Sequence, residues 1–146
     1  MSQFDKIGSD GESLSLPNNG QGKVTIDVTG ALALDFSDSG KSLILKAAAG
    51  AEITLPAVAT SLGFKARFVT GLAFATTDWT IVSATNVIQG GVIVAGAHVA
   101  GSGENTISFV ATAESLGDYV DVECDGTNFY VSGSGVTTGS ITLTVV

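Results

Sequence analysis

The chain has 146 residues, enough for one domain with a core, and its 45% hydrophobic content argues against a disordered body. Charged residues make up only 14%, against about 25% in an average soluble domain, so we expect much of the surface to be buried against other chains. The net charge of −8, with six Lys and Arg in all, argues against nucleic acid as a partner.

Residues 1–22 differ in composition from the remainder of the chain. They are rich in Gly, Ser and Asn and predict an extended arm. A disordered tail is the alternative, since termini are often disordered. Four apolar residues recur through the segment, which favours an arm that docks on a neighbouring surface; these candidate partner-binding residues are Phe4, Ile7, Leu14 and Leu16.

A β-domain is predicted over residues 23–146. "KVTIDVT" alternates apolar and polar residues, and "ALALDF" continues the pattern after Gly30. "SLILKA" and "AEITLP" predict a hairpin around "AAG". "AVATSLGF" predicts one helical turn that ends at Gly63.

The tripeptide Gly40-Lys41-Ser42 is similar to the end of a phosphate-binding loop. That motif needs a glycine five residues before Gly40, where Asp35 stands, and a helix after it. We therefore interpret the match as spurious.

The longest weakly polar stretch, residues 87–101, contains Gln89, His98 and several glycines. It is short for a membrane span, and the sequence predicts no contact with a membrane. His98 is the only histidine, so one chain cannot form a two-histidine metal site. We predict that it is an ordinary strand or turn residue. Cys124 is the only cysteine, which excludes an intrachain disulfide and fits synthesis in a reducing cytosol.

The stretch "GDYVDVECDGTNFYVSG" carries acids at alternate positions, Asp121, Glu123 and Asp125, followed by Gly126. A calcium loop starts this way, but it requires an acid at its twelfth position, which is Ser132 here. A hairpin explains the pattern better, because Asp-Gly favours a tight turn. The hairpin predicts that the acids face water, and that the intervening residues face inward: Val120, Val122, Cys124, Phe129 and Val131.

The aromatic residues Trp79, Tyr119, Phe129 and Tyr130 offer two interpretations. They could form a sugar-stacking platform, but in sandwiches such residues more often anchor a core or an interface. The sequence contains no nucleophile elbow. We therefore expect no catalytic residue, no cofactor and no metal, and a protein that is not an enzyme.

The succession of roughly ten short strands, with joints rich in Gly, Ser, Thr and Asp, predicts the fold class. We expect an all-β protein: an antiparallel β-sandwich or barrel of jelly-roll type with an extended N-terminal arm.

Residues 49–70 ("AGAEITLPAVATSLGFKARFVT") and 105–135 ("NTISFVATAESLGDYVDVECDGTNFYVSGSG") together resemble segments of small structural proteins of tailed bacteriophages. The shared features are an "ITLP" strand, a Leu-Gly-Phe bend and a late "GDYV…DGTNFYVSG" hairpin. Such segments occur in head decoration (capsid cement) proteins and in tail-fibre or tail-tip modules; we favour the former, and the resemblance covers roughly a third of the chain. Its motifs are hairpin patterns and carry no catalytic residue.

The resemblance implies a homotrimer on the outer capsid surface of the virion, made in the host cytoplasm. Its partners would be copies of itself and the major capsid protein, whose subunits it would bridge to stabilise the head. The alternative is a receptor- or glycan-binding module of a phage tail fibre or tail tip.

Overall fold

A computed structural model describes residues 24–146. The predicted arm, with Phe4, Ile7, Leu14 and Leu16, lies outside the described residues. The described part contains these strands: β1 Thr25–Val28, β2 Leu32–Ala33, β3 Ser42–Leu45, β4 Glu52–Thr54, β5 Lys65–Thr70, β6 Trp79–Val82, β7 Ile88–Val94, β8 Ala97–Glu104, β9 Thr106–Phe109, β10 Tyr119–Cys124, β11 Phe129–Gly135 and β12 Ile141–Thr144.

The prediction of an all-β protein is confirmed. The strands form a seven-stranded sheet in the order β1-β3-β5-β10-β11-β7-β8 and a five-stranded sheet in the order β12-β9-β6-β4-β2. Two short 3₁₀ turns, Phe36–Asp38 and Val58–Thr60, interrupt the connections. The second turn lies within the predicted helical turn, and Gly63 follows it with a φ of 86°.

The first six strands alternate between the two sheets. β1, β3 and β5 are parallel neighbours in the large sheet, while β2, β4 and β6 are parallel neighbours in the small one. The chain thus winds around the core in successive coils. The prediction of antiparallel sheets is wrong here, because the alternation of apolar residues is the same whether strands pair in parallel or antiparallel.

The hairpin predicted around "AAG" is also wrong. β3 and β4 lie in different sheets, and the intervening segment crosses from one sheet to the other. Its end is held by Gly50, whose N–H donates to the carbonyl of Thr77 at 3.2 Å. A Cβ on Gly50 would overlap the backbone carbonyl of Asp78, so only glycine allows the two segments to approach this closely.

Two antiparallel hairpins lie within the large sheet. β7 and β8 are joined by Ala95 and Gly96, whose φ values are 50° and 81°. Positive φ at both central residues is the geometry of a type I′ turn, which matches the twist of paired strands. β10 and β11 form the second hairpin, with Val122 opposite Val131.

One hydrophobic core lies between the sheets. Six aromatic side chains are almost fully buried in it: Phe64, Phe68, Phe74, Trp79, Phe109 and Phe129. Phe64 meets Phe129 edge to face, with ring centroids 6.4 Å apart. Residues of both sheets belong to this single cluster, so the fold is sandwich-like.

The β10–β11 hairpin provides a test of this packing. In Gly133→Ala, the new Cβ would overlap the carbonyl oxygen of Tyr119 on the paired strand. We expect a loss of about 1–3 kcal/mol in the free energy of unfolding, the usual cost of overpacking, measured by urea denaturation. Gly30→Ala is the matched control, because no atom lies within 4 Å of its Cβ position. Equal stability of the two variants would contradict the described packing.

Candidate functional site

The acidic stretch is the hairpin that the sequence predicts. Val120, Val122 and Cys124 are buried on β10, while Glu123 and Asp125 are exposed and Asp121 is half-buried. Phe129 and Val131 are buried on the returning strand. Within residues 24–146, no cluster of three His, Cys, Asp or Glu side chains is arranged to hold a metal ion.

Asp125 organises the turn of this hairpin. Its Oδ1 accepts hydrogen bonds from the N–H groups of Asn128 and Thr127, each at 2.8 Å, and its Oδ2 accepts from the Tyr130 hydroxyl at 3.0 Å. The bond from Asn128, followed by that from Thr127, lowers the pKa of Asp125 below its ordinary value. The Asp125 carboxylate therefore has a structural role in the turn.

An open groove of about 380 Å³ crosses the outer face of the large sheet beside this hairpin. It spans β5, β10 and β11 together with the turn before β3. Its lining combines charged, hydroxyl and aromatic side chains; those that face it include Lys41, Lys65, Asp121, Glu123, Tyr130 and Ser132.

An Arg–Asp pair stands at the centre of this face. Arg67 Nε and Nη2 donate to the two carboxylate oxygens of Asp121 at 2.7 and 2.8 Å. The guanidinium also lies 4.4 Å from the centre of the Tyr119 ring. The bond to Asp121 raises the pKa of Arg67. The sequence predicts that Asp121 faces water but not its contact with Arg67, because the pairing of β5 with β10 joins positions far apart in the chain.

The remaining cations of the described residues are also paired with acids. Lys41 Nζ lies 2.6 Å from Asp38 Oδ1, and this bond lowers the pKa of Asp38. Lys65 lies 3.9 Å from Glu123, and Lys46 lies 3.5 Å from Asp27. The groove therefore presents compensated charges and is suited to bind a polar surface or a sugar. Gly40 lies in the turn before β3 and Ser42 is the first residue of that strand, so a strand and not a helix follows Lys41.

The four aromatic residues considered as a sugar platform do not lie together on one exposed surface. Trp79 and Phe129 are completely buried in the core. Tyr119 is half-buried beneath Arg67, and only Tyr130, at 45% exposure, is open to solvent on the groove. His98 lies on strand β8, as predicted, with its side chain across Gly91 on the outer face.

A second surface, which sequence reasoning missed, lies at the end of the sandwich where β5 and β11 finish. Leu116 and Val136 are each 70% exposed there, and Leu72 is 43% exposed. Asp118, itself only 2% exposed, holds the segments together: its carboxylate accepts from the N–H groups of Val136 at 3.0 Å and Ser115 at 2.9 Å. We call Leu72, Leu116 and Val136 the apolar end. Its sequence signal is the pair of loop hydrophobics beside Gly71 and Gly117.

The outer face of the small sheet is almost free of charge. Register places its outward residues in two rows across the strands: Ala33, Thr54, Val82, Thr106 and Thr144 in one, and Glu52, Thr80, Ser108 and Thr142 in the other. Glu52 is the single ionisable residue among them. Such a face has little electrostatic preference for water over another neutral protein surface.

No family model, no curated protein and no solved structure matches this chain. In the part of the chain that the structure describes, no helix has the length and apolar character needed to cross a lipid bilayer.

The buried carboxylate of Asp118 provides a test of the apolar end. In Asp118→Ala, the N–H groups of Ser115 and Val136 lose their acceptor. We expect a loss of roughly 2–3 kcal/mol in unfolding free energy, since hydrogen bonds to charged groups contribute most. Urea denaturation measures it, with the exposed Glu52→Ala as the control expected within about 0.5 kcal/mol of wild type. A wild-type value for Asp118→Ala would show that this carboxylate does not hold the loops.

Proposed function

We propose that this chain is a structural virion protein that binds the outer capsid surface and stabilises the head by bridging major capsid protein subunits. The observation that carries the proposal is the distribution of charge on residues 24–146. The Lys and Arg residues are confined to one half of the large sheet, and each is compensated by an acid. The acids without a cation partner lie mostly in the loops, so the outer face of the small sheet and the β7–β8 hairpin carry almost no charge.

Three neutral surfaces support assembly with other chains. They are the hydroxyl-rich face of the small sheet, the apolar end, and the β7–β8 hairpin. No Asp, Glu, Lys or Arg occurs between Asp78 and Glu104, a stretch that contains the whole of that hairpin apart from its last residue. Depletion of charged residues is the compositional mark of the core of protein–protein interfaces.

The proposal includes two features that the sequence predicts. They are an extended arm of residues 1–22 and a sandwich of jelly-roll type. β1 is an edge strand of the large sheet, a position from which the proposed arm would extend away from the domain. In a homotrimer, three arms would contact neighbouring subunits together. Several linked weak contacts raise the overall affinity by about 10²–10⁴ without any single strong one.

Removal of the arm tests the proposed bridging. We expect the variant that lacks residues 1–22 to bind capsids at least tenfold more weakly, because it loses linked contacts, while its near-ultraviolet circular dichroism from Trp79 stays unchanged. The measurement is copies bound per particle after sedimentation with capsids built from the major capsid protein of the same genome.

The control for this deletion is the fourfold substitution of Phe4, Ile7, Leu14 and Leu16 by serine, which keeps the arm's length but not its apolar groups. It should bind as weakly as the deletion. Unchanged occupancy for both variants would reject the role of the arm, and failure of the wild-type chain to bind capsids would reject decoration as its function.

The groove favours a second candidate, a receptor- or glycan-binding module of a tail fibre or tail tip. The specific observation is the exposed Tyr130 ring beside Ser132 and Glu123, a combination of aromatic face, hydroxyl and carboxylate that suits sugars. A glycan array with the purified protein tests it. Glycan binding that falls at least tenfold in Tyr130→Ala and persists in Tyr119→Ala would favour the tip, and an array without signal would remove this candidate.

A further inference from the structure

The four edge strands of the two sheets differ in how they are protected against pairing with another chain. An edge strand exposes unpaired N–H and C=O groups, and proteins usually shield them with charge, short length or a cover. β2 has only two residues. β1 carries Asp27, which pairs with Lys46. These two edges are therefore poor acceptors for an added strand.

The edges at the other side of the sandwich meet each other. β12 packs near the second half of β8, where a Cβ on Gly101 would lie 3.0 Å from Leu143 Cδ1. The chain end after β12 is tied to Asn105, whose side chain accepts from the Val146 N–H at 3.0 Å and donates to its carbonyl at 3.2 Å. The first half of β8 has no such cover among the described residues.

We call residues 97–100 the open edge. Ala97, His98 and Ala100 are exposed, and none of the four residues carries a formal charge at neutral pH or is proline. The type I′ turn makes Val94 and Ala97 a hydrogen-bonded pair. Pairs of this kind alternate along an antiparallel ladder, so the backbone N–H and C=O groups of His98 and Ala100 point away from β7.

The side chains at the open edge leave a gap beside the core. Ala97 and Val99 lie opposite the buried Val94 and Val92, on the inner side of the sheet, yet Ala97 is exposed and Val99 only half-buried. An added strand would place alternate side chains beside them. The edge thus fits a segment with apolar residues at every second position.

The part of this chain outside the structure contains such a segment. Ser13-Leu14-Ser15-Leu16 alternates polar and apolar residues and carries no charge. We propose that residues 13–16 of one copy pair with the open edge of a neighbouring copy, with Leu14 and Leu16 beside Ala97 and Val99. The inference deepens the proposed function, on which it rests for the role of the arm as a contact between chains.

Distance favours a neighbouring copy over the same one. β1 and β8 are the opposite edges of the seven-stranded sheet, roughly 29 Å apart at about 4.8 Å per strand. The segment from Leu16 to Val24 reaches at most roughly 29 Å when fully extended. Within one copy it would have to run straight across the sheet through "PNNGQG", which favours turns. If the β8 strand of a neighbouring copy lies beside β1, the distance that the segment from Leu16 to Val24 must span is far shorter.

The contact is heterologous, because the arm of one copy meets the edge of the next. Repetition of such a contact gives a ring when its rotation closes and an open filament when it does not; a ring of three copies would be the proposed trimer. It also assigns separate roles within the arm: Leu14 and Leu16 hold the neighbouring copy, which leaves Phe4 and Ile7 for the capsid.

A complementation experiment with the full chain tests the inference. The donor variant is Leu14→Ser with Leu16→Ser, and the acceptor variant is Ala100→Pro, which removes an N–H from the open edge without removing one bonded to β7. Native mass spectrometry should find each variant at least tenfold weaker than wild type in self-association. Mixed together, they should form a one-to-one dimer, because one intact arm then meets one intact edge and growth stops there.

Two controls and a second acceptor variant keep the test decisive. Ser13→Ala with Ser15→Ala, and Ala100→Ser, should associate as wild type does. Ala97→Glu leaves the backbone intact, places a charge where the leucines would pack, and should behave as Ala100→Pro does. Near-ultraviolet circular dichroism from Trp79 verifies the fold of each variant.

Three results would overturn the inference: a monomeric wild-type chain, a donor variant that still associates, or a mixture without dimers. A donor variant that associates while both acceptor variants do not would indicate pairing of two β8 edges instead. Failure of capsid binding in a chain that passes the complementation test would reject the decoration function alone.

Discussion

The structure depends on one constraint, which is that both sheets share a single core and every strand must place one face in it. The chain changes sheet at almost every connection, so each strand must satisfy this constraint on its own. Trp79 and five phenylalanines occupy the shared interior. What remains for the outside is the second face of each strand, and the composition of those faces determines how the protein meets other molecules.

The outer faces divide by charge. The half of the large sheet around β3, β5 and β10 contains the bidentate Arg67–Asp121 pair and the polar groove. The small sheet presents mainly threonine, and the β7–β8 hairpin presents Gly and Ala together with Ile93 and His98. Since exposed ion pairs contribute little stability, we expect this division to matter for recognition, and in the proposed assembly the neutral surfaces would contact other chains.

Parallel coils and the open edge are connected features. Winding through β1–β6 leaves β1 at one edge of the large sheet, and the β7–β8 hairpin places β8 at the opposite edge. In the proposed contact, the segment that precedes β1 in the sequence of one copy would pair with the unprotected edge of the next copy. This arrangement suits a head-to-tail contact between copies, and it follows from the topology rather than from any local motif.

The sequence by itself determined the all-β class, the inward and outward positions of β10 and β11, and the turn at Asp125, because these depend on residues that are neighbours in the chain. It also indicated correctly that His98 is a strand or turn residue, and it lies on β8. Only the tertiary structure decided that β3 and β4 lie in different sheets, that Trp79 is a core residue, and that Asp118 joins two loops into the apolar end. The physical reason is that an alternating pattern specifies which face of a strand is buried but not which strand lies beside it, and that pairing is settled by how the whole chain closes around its core.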